Sequence, residues 1–139
     1  MTAAELAATI RPSLLRLTRL VRNQRVDMSV TLTQLSAMAT LSKRGSMSAG
    51  ELAAAERVQP PSMTKVLANL EEQGFVQRVP HPGDRRQAIV SITAKGEQLL
   101  ESERRSRDAW LAQRLAKLTA DERALLRAVV PILDKLAEL

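Results

Sequence analysis

Seven residues, His81-Pro82-Gly83-Asp84-Arg85-Arg86-Gln87, stand between two runs rich in β-branched residues, Val76 to Val79 and Ala88 to Ile92. Both runs favour strand, and Pro-Gly-Asp is turn chemistry. The pattern predicts an antiparallel hairpin with two arginines at its tip. Such a tip carries positive charge away from the body of the protein toward something negative.

The segment before the hairpin reads as two short helices joined by a tight turn. Ser48-Ala49-Gly50-Glu51 is a capping box, and Met47 can staple onto Leu52. That helix should end near Glu56 or Arg57, with Val58 plugging the turn into the core. The next helix should run from Pro60 or Pro61 to Gln73, because proline is tolerated where the first turn has no N–H partner to lose. Met63, Val66, Leu67 and Leu70 form its apolar stripe. Ser62, Lys65, Asn69 and Glu72 form the opposite face, with Thr64 at its border. Gly74 is the expected C-cap, and Phe75 seals the end. Helix, turn, helix and basic hairpin together describe a winged helix-turn-helix, an architecture that binds DNA.

Helices are expected on both sides of this unit. Leu6, Ile10, Leu14, Leu17 and Val21 stripe a helix over residues 4–25, which Pro12 either starts or kinks. Thr31-Leu32-Thr33-Gln34 is a capping box for a helix that buries Leu35, Met38 and Leu41 and stops at Gly45. Thr93 should open a long helix from Ala94 to about Leu118, polar in its middle. Thr119-Ala120-Asp121-Glu122 is a third box, and Pro131 should kink or break the last helix. The fold expected is mainly α with a small β-hairpin wing. A winged helix-turn-helix lobe over residues 31–93 is flanked by an N-terminal helix over 1–30 and C-terminal helices over 94–139. The flanking helices carry more apolar surface than so small a core can cover. A second copy of the chain would cover the rest, which implies a twofold homodimer.

Composition narrows the function. The 139 residues have a formal net charge of +6, so anionic partners are favoured. The excess lies in the first two-thirds: residues 96–139 hold eight basic and eight acidic side chains and are neutral. With no cysteine, disulfides, thiolate nucleophiles and thiol redox sensing are excluded. One histidine and no Gly-rich phosphate loop argue against an enzyme, and neither a cofactor nor a metal is expected. Adjacent Glu71 and Glu72 diverge on a helix and do not converge on one substrate. Residues 1–10 include Glu5 and no apolar run, so no signal peptide is expected, and no run is long enough to cross a membrane. The location expected is the bacterial cytoplasm, nucleoid-associated when DNA-bound.

Asp84-Arg85-Arg86 followed by Ile89-Val90-Ser91-Ile92-Thr93 and Gly96, with Ser62-Met63-Thr64-Lys65 and Leu70 to Val76, resembles the MarR (multiple-antibiotic-resistance regulator) family of transcription factors over essentially the full length. The resemblance implies an obligate homodimer on a near-palindromic operator. It also implies repression relieved by a small aromatic or phenolic ligand, such as a salicylate-like carboxylate, bound between the dimerisation helices and the DNA-binding lobe. Asn69 stands where the family often has a basic residue, Pro131 is unusual in the last helix, and the missing cysteine excludes the peroxide-sensing branch.

The DNA contacts expected are Gln59, Pro61, Ser62, Thr64 and Lys65 on the recognition helix, with Asp84, Arg85 and Arg86 in the wing. Ser62 and Thr64 can donate to phosphates or base edges, and Lys65 can bind guanine or phosphate. Gln59 and Pro61 would lie near the backbone and a thymine methyl. Asp84 can pair with one arginine while the other enters a narrow minor groove. The family pattern makes Arg86 the pairing partner and Arg85 the probe. His81 would sit beside phosphate, Trp110 in the dimer core, and Arg16 and Arg19 are candidates to hold an effector carboxylate. A nonspecific architectural DNA binder is the alternative, separated by competition with unrelated duplex. A protein-binding winged helix is a further one; its partner would still bind after both wing arginines were changed to alanine.

Overall fold

Hydroxyl caps set most of the helix starts. In the computed structural model, which describes residues 1–84 and 86–139, Thr2, Thr31 and Thr119 each accept the N–H of the residue three ahead and receive that residue's side chain on their own N–H. These three boxes start α1 (Ala3–Arg22), α2 (Leu32–Arg44) and α6 (Ala120–Glu138). α1 begins and ends slightly earlier than its apolar stripe suggests and runs through Pro12. α6 likewise runs unbroken through Pro131, so no break occurs there. Ser48 accepts the Glu51 N–H at 3.1 Å and caps α3 (Ala49–Glu56), but the reciprocal half of that box is missing. The Glu51 carboxylate instead accepts the Ser48 hydroxyl. Ser48 also belongs to β1 (Met47–Ser48), a two-residue strand too short to leave a sequence pattern.

Arg57 closes α3 in the left-handed region, at φ 54° and ψ 43°. That conformation is rare without glycine and reverses the chain within one residue. Val58 then returns to the core. α4 (Pro60–Glu72) starts at Gln59 without a side-chain cap, with Pro60 and Pro61 in the turn where no N–H is needed. Its C-cap is Gln73, and Gly74 follows at φ +80°. β2 (Val76–Pro80) and β3 (Ala88–Ile92) pair antiparallel, and β1 joins the other edge of β3, giving the order β1-β3-β2.

α5 (Ala94–Leu115) ends one turn short of Leu118. The Arg123 guanidinium donates to the Leu115 and Leu118 carbonyls and satisfies that early end. Thr93 starts α5: its hydroxyl donates to the Gly74 carbonyl at 2.6 Å and accepts the Gly96 N–H. Gly96 must be glycine, because a Cβ there would lie 2.4 Å from the Phe75 carbonyl oxygen.

The chain forms two units, one of residues 25–104 and one of residues 1–24 with 105–139. The first contains the whole buried apolar cluster, including Met38, Leu41, Leu52, Met63, Leu67, Leu70, Phe75, Val76 and Val90. Glu103 is also buried there. It accepts the Val26 and Asp27 N–H groups at 3.0 Å each and lies 3.8 Å from the Arg25 guanidinium. The second unit is α1, the C-terminal part of α5, and α6. No side chain of α1 or α6 is buried.

Candidate nucleic-acid interface

The inward turn of α4 is anchored by Met63, Leu67 and Leu70, each no more than 1% exposed. Helical spacing then turns Pro61, Lys65, Ala68 and Glu72 directly away from the core, with Ser62 and Asn69 on one flank and Thr64 and Glu71 on the other. Gln59, Pro61, Ser62, Thr64 and Lys65 are all exposed. Lys65 forms no ion pair among the described residues, so its ammonium is available to an external anion. The Thr64 hydroxyl donates back to the Pro60 carbonyl at 3.0 Å. That bond occupies its proton, so in this rotamer Thr64 offers an acceptor and a methyl group, where the sequence had suggested a donor.

Each flank of α4 borders a groove. One, of about 500 Å³, lies between Ser62, Lys65 and Asn69 and the start of α2. The other, of about 480 Å³, is lined by Thr64, Ala68, Glu71, Glu72 and Arg78. Arg78 of β2 pairs with Glu71 at 2.8 Å and ties the wing to the end of α4. Lys95 donates to the Gln73 carbonyl at 2.7 Å and covers the Phe75 ring, 4.9 Å from its centroid. A cation at these last carbonyls complements the negative end of the helix. Neither Arg78 nor Lys95 was singled out in the sequence, since each acts across a turn.

The wing tip is held by its own side chains. The His81 Nδ1 accepts the Gly83 and Asp84 N–H groups at 2.9 and 3.1 Å. His81 is therefore a turn-former, which its isolated position in the sequence did not reveal. Asp84 accepts the backbone N–H of Arg86 at 3.0 Å, an Asx turn. The expected carboxylate–guanidinium pair with Arg86 is absent; Asp84 Oδ1 accepts from the backbone two residues on instead. The Arg86 side chain is exposed and forms no ion pair among the described residues. Arg85 lies outside the described residues.

In the other unit, Arg16 and Arg19 are exposed on α1. A cavity of about 370 Å³ there is lined by Leu17, Thr18, Val21, Arg22 and Arg107, and not by Arg16 or Arg19. Trp110 is half-buried and stacked by the Arg114 guanidinium at 4.3 Å. Among the described residues there is no cluster of metal-ligating side chains and no helix long and apolar enough to cross a membrane.

Comparison with known proteins gives a consistent set of relatives. The MarR family model matches residues 30–88, from the approach to α2 through the wing. An HTH-type transcriptional regulator of Mycobacterium tuberculosis is 44% identical over 135 residues, 97% of this chain and 94% of that protein. The multiple antibiotic resistance protein MarR of Salmonella typhimurium is 30% identical over 118 residues, covering 81% of this chain and 82% of its own. The crystal structure of a transcriptional regulator from Pseudomonas aeruginosa superposes with a TM-score of 0.87 at 32% identity, over 100% of this chain and 99% of that one.

Proposed function

The chain belongs to the MarR family of DNA-binding transcriptional regulators, and we propose that it acts as a homodimeric repressor released from its operator by a small aromatic or phenolic carboxylate. Members of this family are non-enzymatic, bind DNA and act as dimers. The observation that carries the reading is the outward face of α4. Lys65 stands there without an ion-pair partner among the described residues, and Ser62 flanks it.

Two copies of α4 related by a twofold axis would read half-sites about 10 bp apart, hence a near-palindromic operator. In that arrangement Lys65 is the candidate for guanine or phosphate, Ser62 for phosphates or base edges, and Gln59 and Pro61 border the backbone. Arg85 and Arg86 are the candidates for the minor groove, and Asp84 holds the backbone at Arg86. The second copy is supported by apolar stripes on α1 and α6. Leu6, Ile10, Leu14 and Leu17 on one, and Leu125, Val129, Ile132 and Leu136 on the other, are all at least 36% exposed. Apolar faces of that extent mark an interaction surface.

The cavity on α1 supports an effector of this class. Leu17 and Val21 suit an aromatic ring, while Arg22 and Arg107 suit its carboxylate. Arg16 and Arg19 remain candidates on the same helix. Repression and release require ligand and DNA to favour different arrangements of the dimer, so each weakens the other's binding by the same factor.

Quantitative footprinting on DNA flanking its own gene, with and without salicylate, tests the reading. We expect protection of a two-part site that survives excess unrelated duplex and is lost with salicylate. Neutralising about 6–10 phosphates should weaken binding roughly 10³–10⁵-fold between about 50 and 200 mM salt. Equal affinity for all duplexes would mean an architectural DNA binder instead.

A further inference from the structure

The wing is fixed at its base and little supported beyond it. Val76 is buried, whereas the other four residues of β2 are exposed. The turn that delivers β2 from α4 is closed at several points. The Phe75 N–H donates to the Leu70 carbonyl at 2.9 Å, and the Thr93 N–H donates to the Phe75 carbonyl at 3.0 Å. The Thr93 hydroxyl and Lys95 hold the Gly74 and Gln73 carbonyls. None of these bonds reaches past Phe75.

Farther out the hairpin becomes a two-stranded ribbon. β1 supports β3 only at Ile89 and Val90. Toward α4 lies the groove of about 480 Å³ lined by Thr64, Ala68, Glu71, Glu72 and Arg78. Those side chains are small or polar, so apolar packing does not set the width of the gap. One ion pair spans it. Glu71 Oε2 lies 2.8 Å from Arg78 Nε, and among the described residues no other ion pair joins α4 to the hairpin. With Arg78 32% and Glu71 47% exposed, the pair contributes little to folding. Its place matters more than its energy. β2 rises about 13 Å from Val76 to Pro80, so a tilt of about 10° at its base moves the far end by roughly 2 Å. Arg78 is the middle residue of that strand, where a single tether limits the tilt.

We propose that Glu71 and Arg78 are positioning residues that hold the wing at a fixed angle to α4, and so preset the spacing between what the two elements meet on one duplex. This role rests on the DNA-binding reading above, and neither residue touches DNA in it. Lys65 and Ser62 act from α4, and Arg86 acts from the wing. Two linked contacts reinforce each other only when their separation is set before binding. A wing free to tilt must be ordered as the complex forms, so Arg86 loses its contribution although its own side chain is unchanged.

The test uses the full-length protein and a duplex that the wild type selects from a random-sequence pool. Glu71→Gln keeps the size of the side chain and removes its charge, and Arg78→Gln breaks the pair from the other side. Each is combined with Arg86→Ala in a double-mutant cycle. Removing a carboxylate near DNA strengthens binding by charge alone. A weaker Glu71→Gln complex therefore separates positioning from electrostatics. We expect both single variants to keep the wild-type melting temperature and to bind the duplex about five- to tenfold more weakly. Arg86→Ala should weaken the wild type by a similar factor, but weaken either variant by less than about twofold further.

A folded Glu71→Gln protein that binds the duplex as tightly as the wild type overturns the proposal. Tighter binding by that variant, with weaker binding by Arg78→Gln, overturns it too and makes Arg78 a DNA contact that Glu71 neutralises. Additive losses in the cycle do the same, since Arg86 would then work wherever the wing lies. If one single variant melts well below the wild type, the cycle on the other decides; if both do, the pair serves stability and not position. Arg86→Ala without effect on the wild type takes the wing off the duplex and ends the proposal, while the reading of α4 stands. A wild type that selects no duplex at all removes that reading itself.

Discussion

Glu103 sits in the most charged stretch of α5, where the sequence suggests a solvated helix face. It is instead 1% exposed, with both carboxylate oxygens bonded to backbone N–H groups of the segment before α2. Arg25 beside it donates to the Asp27 and Val30 carbonyls, so the carboxylate and guanidinium together organise residues 25–30. Nothing local marks this residue among Glu101, Arg104 and Arg105, because its partners are more than seventy positions away. Breaking a buried charge pair by removing one member leaves the other uncompensated. We expect Glu103→Ala to lower the unfolding free energy by about 3–5 kcal/mol, measured by urea titration. A loss under about 1 kcal/mol would mean that the pair is solvated in solution.

Elements were legible in proportion to how local their causes are. Thr31 and Thr119 announce α2 and α6 because a capping box is closed within four residues, and both helices start where it places them. β1 could not be read, because two residues have no periodicity and become a strand only by lying against β3. The end of α5 is set from outside the element, since Arg123 caps it from the next helix, and α6 continues past Pro131 without the break that was one of the two outcomes expected there.

The α6 box also predicts a pH response. The Thr119 N–H holds the Glu122 carboxyl below its ordinary range, assisted by the Thr119 hydroxyl. Because the folded-state value is depressed, the box contributes fully above the unfolded value of about 4.3 and loses that contribution as pH falls through the lower folded one. Amide exchange at the start of α6 should therefore accelerate below about pH 4. Glu122→Gln, which keeps a neutral acceptor, should flatten the response; identical acid profiles for the two proteins would count against it.

At the scale of the whole molecule the division of labour is between a unit that owns the core and one that does not. Among the described residues, every buried apolar one lies within residues 25–104, while α1 and α6 contribute none. The two outer helices keep their stripes for something outside the chain, in our reading a second copy. Replacing Leu125 and Ile132 together with aspartate should leave the residue 25–104 core intact, since neither belongs to its buried cluster. Sedimentation equilibrium should then show a single-chain mass where the wild type shows twice that, and operator affinity should drop with it. A variant that stays dimeric would place the interface elsewhere.

The sequence alone carried the helix caps, the apolar stripes, the basic hairpin and the winged helix-turn-helix order. Each depends on residues a few positions apart, where backbone geometry and side-chain chemistry act directly. Tertiary structure decided which polar groups are satisfied and which remain open to a partner. It buried Glu103 and turned His81 and Asp84 inward upon the wing backbone. Those outcomes require segments distant along the chain to meet, and the cost of burying an unpaired charge or amide selects among them only once they have met.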